Sequence, residues 1–157
     1  MYSVIPGGTH ADGVTYNALV VLADGVYLEL IAFVHPGTPD SSHRWGSARP
    51  GGWIDFAYLG LCSDVDRVIN ERAARDGSGV VYAKGVDGGR ETPGGEGGKD
   101  KKTLLWRVTC PERKHGVGRL PFFCADVTPR EWRVSAGLPM LPSVICYIVA
   151  LLMTCFM

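Results

Sequence analysis

Several common signatures are absent from this 157-residue sequence, and each absence closes a class of function. Net charge is missing: 16 Lys and Arg balance 16 Asp and Glu, so nothing draws the chain toward nucleic acid or an acidic surface. The first residues, MYSVIPGG, carry neither a basic patch nor an apolar run, so no signal peptide is expected. No CxxC occurs among the five cysteines, at 62, 110, 124, 146 and 155. An odd count without that spacing argues against a disulfide framework and a structural zinc site, and favours reduced thiols in a cytosolic compartment. The four histidines, at 10, 35, 43 and 115, fall in predicted loops without an HExxH spacing and read as surface residues, although His43 beside Arg44-Trp45 could line a pocket mouth. The stretch GGRETPGGEGGKDKK (88–102) fails as a phosphate loop, because Pro93 stands at the first glycine position and Asp100 follows Lys99. It reads as a solvated hairpin loop. No serine-nucleophile or dinucleotide-binding fingerprint is present.

What the sequence does have is glycine, 21 residues of it, and short apolar strands. The most regular stretch is YNALVVLADGVYLELIAFV (16–34). Asp24-Gly25 is a two-residue hairpin turn signal, since glycine tolerates the positive φ of a tight turn. That loop would pair Leu22 with Tyr27 and Val20 with Glu29. By strand alternation Val26, Leu28, Leu30, Ala32 and Val34 share one face, read as core, and Tyr27, Glu29, Ile31 and Phe33 share the other. Glu29 is the only charge in this arm. An apolar setting obliges its carboxylate to find a cation, a metal, a proton or water.

Residues 3–13 predict a short strand and a turn, and 35–52 a Pro/Gly/Ser-rich linker or binding loop. WIDFAYLG (53–60) is a strand. Ser63 with Asp66 forms a capping box, and Val65, Val68, Ile69 and Ala73 share the face of a helix ending at Asp76-Gly77. Strands are expected at 79–84, 103–110 and 119–127, the last at an edge or bulge because of Pro121. Laid side by side, the segments repeat. Gly7-Gly8 corresponds to Gly88-Gly89, ALVVL (18–22) to LLWRV (104–108), and YLELIAFV (27–34) to LPFFCADV (120–127). The second copy has a strand and a helix in front, giving β-α-β-β-β. The first copy lacks both, which would leave a sheet edge open.

The fold class is therefore α+β: paired βαβββ units in a mixed, mostly antiparallel sheet, the first unit incomplete. The domain spans 1–134, with a first unit at 1–34, a linker at 35–51 and a second unit at 52–134. Residues 135–157 form an apolar tail. LPSVICYIVALLMTCFM (141–157) carries no charge and reaches the lower limit of a membrane span. A membrane anchor, a buried segment and an altered C-terminus are the alternatives for it.

PGGTHADGVTYNALVVLADGVYLELIAF (6–33), GGWIDFAYLG (51–60) and RLPFFCADVTPREWRV (119–134) together resemble the glyoxalase-like domain proteins of the vicinal oxygen chelate superfamily. The resemblance implies two units curved around one cavity, with a divalent metal held by His and Glu from the first and last strands of each unit and acting as a Lewis acid. Glu29 stands in one ligand position, as ligand or general base. Asp55 is a weak second, otherwise a cap or turn acceptor, and Phe122 or a neighbour replaces the second unit's glutamate. Tyr27, Trp53, Trp106 and Phe122 would line an aromatic cavity or simply fill the core. Cys110 and Cys124 read as buried apolar residues. The resemblance implies a metal-assisted lyase, isomerase or dioxygenase. Its alternatives are a non-catalytic small-ligand-binding module and an inactive truncated fragment. A small molecule is the expected partner, and a homodimer would be one way to supply the missing strand.

Overall fold

The computed structural model describes residues 4–22, 25–35, 42–49, 51–60, 64–94, 99–134 and, for the backbone, 147–152. Eight strands are β1 (Val4–Thr9), β2 (Thr15–Val21), β3 (Tyr27–Phe33), β4 (Gly52–Leu59), β5 (Val86–Glu91), β6 (Thr103–Thr109), β7 (Phe122–Asp126) and β8 (Tyr147–Leu152). One helix, α1 (Val65–Asp76), follows β4, and single 3-10 turns lie at Arg113–His115 and Arg130–Trp132. The α+β class stands, with strands dominant.

All eight strands join in one sheet, in the order β1-β2-β3-β8-β4-β7-β6-β5. The order is symmetric about its centre. In the second unit β4 runs parallel to β7, with β6 and β5 beyond it. In the first, β8 runs parallel to β3, with β2 and β1 beyond it. The strand expected to be missing from the first unit is therefore supplied from the apolar tail. β8 also pairs antiparallel with β4, so one strand seals the edges of both units. Its backbone satisfies groups that β3 and β4 would otherwise expose. Among the described residues no helix is long and apolar enough to cross a membrane.

The outermost strands also meet. His10 and Arg90 form an antiparallel bridge, and the Ala11 N–H donates to the Gly89 carbonyl at 2.9 Å. The sheet thus curls back on itself around a hollow. This seam needs glycine: a Cβ on Gly8 would sit 2.8 Å from the Glu91 carbonyl oxygen. The two double glycines of the repeat, expected in turns, instead lie within β1 and β5.

Other expectations are corrected. The β2–β3 register is one residue off: Val21 pairs with Tyr27 and Leu19 with Glu29. Leu22 N–H donates to Val26 O at 2.7 Å and Gly25, at φ 83°, donates to Leu22 O, so three residues rather than two separate the closing pair. That is the common three-residue hairpin with a glycine in the left-handed region. The better-buried face of β3 is the Glu29 face, with Tyr27 and Ile31 nearly inaccessible and Leu28 and Leu30 half-buried. Curling makes the concave side the core, which alternation alone does not decide. Residues 79–84 form no strand beyond a Tyr82–Pro111 bridge; β5 takes residues expected in the loop. β7 is interior, and Pro121 sits just before it, where a missing N–H breaks no ladder bond. Helix α1 ends as expected, with the Gly77 N–H on Ala73 O, but its N-cap is Asp64 without a side-chain cap bond, and Ser63 lies outside the described residues.

Candidate functional site

The hollow is a cavity of about 730 Å³ lined from both units. β2 and β3 bring Asn17, Leu19, Tyr27 and Glu29. The second unit brings Arg90, Trp106, Val108, Phe122 and Cys124, and Ser42 to Trp45 close one side, so the connection of 35–51 serves as a wall. Glu29 and Phe122, equivalent in the repeat, both face it.

The polar end is built on Glu29. Asn17 Nδ2 donates to Glu29 Oε1 at 2.6 Å and lies 3.3 Å from His10 Nε2, while Asn17 Oδ1 accepts the Gly8 N–H at 3.3 Å. That pattern fixes the amide's orientation. With Asn17 donating to Nε2, His10 carries its proton on Nδ1, which lies 2.7 Å from the Thr15 hydroxyl. His10 Nε2 is 3.7 Å from Glu29 Oε1, and the imidazole edge meets the Trp106 ring at 5.7 Å. Burial lowers the His10 pKa from 6.5, Glu29 and Asp12 oppose that, and Arg90 and Arg133 reinforce it. The cavity therefore holds a neutral imidazole near pH 7 beside a carboxylate.

Guanidinium groups occupy the other positions. Arg133 Nη2 is 2.7 Å from Asp126 Oδ1, its Nη1 donates to the Tyr27 hydroxyl at 3.3 Å, and its guanidinium lies 4.6 Å over the Trp106 ring. Arg130 shares the same Asp126 at 2.9 Å and donates to the Gly25 carbonyl, fastening the turn at 130–132 to the β2–β3 hairpin. Arg44 Nε donates to Asp55 Oδ2 at 2.7 Å, and the guanidinium lies 5.6 Å from the Phe122 ring centre. Arg90 is 6% exposed. Burial pushes the Cys124 thiol up to about 11 and raises that of Cys110 as well, so neither is a ready nucleophile.

Of the residues singled out from sequence, Tyr27, Glu29, Trp106 and Phe122 come together on the cavity wall. Trp53 and Asp55 do not. Regular alternation along β4 would put Trp53 and Asp55 on one face, and a β-bulge between them separates the two. Trp53 is 63% exposed. Asp55 is buried, and its carboxylate is taken by Arg44, by Trp45 Nε1 at 3.0 Å and by the Phe56 N–H at 3.1 Å. It anchors the cavity wall rather than facing a ligand. His43 does line the cavity. His10, read from sequence as a surface residue, instead lines the cavity, and Arg44 lines it beside His43; Asn17, Arg90 and Arg133 were passed over, because their partners come from other strands. The available signal was the matched double glycines, which mark the seam where His10 and Arg90 meet.

The sequence pattern of the glyoxalase-like domain matches residues 2–148. The chain belongs to that family. No curated protein and no solved structure matches it. As a glyoxalase-like domain it is expected to hold a divalent metal on His and Glu side chains, and the donor set here does not fit one. Glu29 and His10 converge, but among the described residues no third His, Cys, Asp or Glu joins them. The Asn17 oxygen is turned away to Gly8, and the strand supplied by the tail reads YIVALL, without a ligand side chain. Two buried guanidiniums nearby would oppose a dication.

Proposed function

We propose that this glyoxalase-like domain is a small-molecule-binding module that holds one organic ligand in the cavity between its units without a divalent metal. The observation that carries the reading is the cavity itself. Its volume of about 730 Å³ is in the range of small-ligand sites, and it combines aromatic walls with a few convergent polar groups. Tyr27, Trp106 and Phe122 offer apolar contact, and the Asn17–Glu29–His10 group fixes orientation by hydrogen bonding. The metal content of protein purified without chelator, paired with tryptophan-fluorescence titrations, tests this. Saturable binding by metal-free protein supports the reading, and a stoichiometric divalent ion needed for binding overturns it.

A second reading, proton-transfer catalysis of the isomerase or lyase kind, draws on one observation. A neutral imidazole with a carboxylate 3.7 Å away is poised to take and return a proton at Nε2, once a ligand group replaces the Asn17 contact. Deuterium incorporation from solvent into a bound ligand, lost in His10→Gln, would favour catalysis over simple binding.

A further inference from the structure

The charges in and around the cavity are not all paired. Arg44 has Asp55, Arg107 has Asp87, and Arg130 and Arg133 share Asp126. Arg90 has no such partner: among the described residues its side chain makes one hydrogen bond, from Nη1 to the Glu91 carbonyl at 3.3 Å, and no ion pair. It is nonetheless more than nine-tenths buried and lines the cavity. Burial lowers its pKa and Arg133 adds to this, while Glu29 works in the opposite direction through space. A buried guanidinium normally takes a counter-ion, because desolvating an unpaired charge is costly. Glu29 does not reach it, being held by Asn17 next to His10.

We infer that the ligand of this cavity is a small organic monocarboxylate whose carboxylate pairs with Arg90 and whose apolar part lies on Trp106, Phe122 and Tyr27. This deepens the binding-module reading above and rests on it. The guanidinium fork matches a carboxylate's two oxygens, so the pairing gives orientation as well as attraction. A single negative charge is specified because Glu29 lines the same cavity and repels a second one. The apolar walls set the rest of the ligand: an aryl or short alkyl group rather than a sugar or a nucleotide.

The test titrates the full chain with a graded series of monocarboxylates, from acetate to phenylpropionate, each beside its uncharged amide, with tryptophan fluorescence as readout. The acids are expected to bind about ten- to a hundredfold more tightly than their amides, the range of a charge-assisted hydrogen-bonded pair. In Arg90→Met that preference is expected to vanish, and Arg90→Lys is expected to restore part of it. Acids and amides binding equally well to the wild-type chain would overturn the monocarboxylate assignment and leave the cavity reading standing. Failure of every acid and amide to saturate would overturn both. The acid–amide comparison needs only the wild-type chain, so it decides even if Arg90→Met does not fold.

Discussion

At the residue scale, one amide orders the site. Asn17 joins the Gly8 backbone, the His10 ring and the Glu29 carboxylate. Asn17→Ala strands a half-buried carboxylate and a backbone N–H. It is expected to cost about 2 kcal/mol, read from the urea midpoint at unchanged slope. His10 ties the site to pH. Its folded pKa lies below the unfolded value of 6.5, so the unfolded chain binds the proton first. Its contribution is fully present above about pH 6.5 and is lost as the pH falls through the folded value. Thermal unfolding followed between pH 7.5 and 5 should therefore show a steeper loss in wild type than in His10→Gln. Parallel profiles would mean that the imidazole is not held neutral by the fold.

At the element scale, two irregularities shape the cavity. The bulge in β4 turns Trp53 out and Asp55 in, where Asp55 anchors Arg44 and Trp45 of the cavity wall. Asp55→Ala leaves Arg44 without its carboxylate and is expected to destabilise by about 3 kcal/mol, the cost of breaking a largely buried pair. It should also shift the Trp45 emission to longer wavelength as the wall loosens. The seam between β1 and β5 depends on close backbone approach. Gly8→Ala places a methyl group against the Glu91 carbonyl and is expected to cost about 1–3 kcal/mol by overpacking. Faster amide exchange of Ala11, whose N–H crosses the seam, would locate that damage.

For the molecule as a whole, the decisive strand is β8. It joins the units by pairing with β3 on one side and β4 on the other. Without it each unit would present an open strand edge, and among the described residues backbone pairing between the two halves of the sheet would be left to the His10–Arg90 seam. Removing residues 147–157 is expected to abolish the cooperative thermal transition and to move the chain into aggregates on size exclusion. A truncated chain that stays monomeric and melts cooperatively would show that the halves associate without it. The same strand explains why the charge-free segment Tyr147–Leu152 belongs to the sheet: a strand between two others needs no polar side chains to satisfy its backbone.

The hairpin, the helix and its glycine stop, the internal repeat and the acidic residue on β3 were all readable in the sequence. Each is a local pattern of alternation, capping or turn chemistry, set by residues within a few positions of one another. The one-residue register shift was missed because Asp24-Gly25 fits both a two- and a three-residue loop, and only the pairing of the strands selects between them. The conversion of the tail into the first unit's strand, the meeting of His10 with Arg90 across the seam, and the capture of Asp55 by Arg44 were decided by tertiary structure. They join residues distant in sequence through the curvature of the sheet, and curvature leaves no periodic mark in the chain. The same holds for the charge of Arg90: its residue type is plain in the sequence, but that none of the described carboxylates pairs with it is decided by where the closed sheet places them.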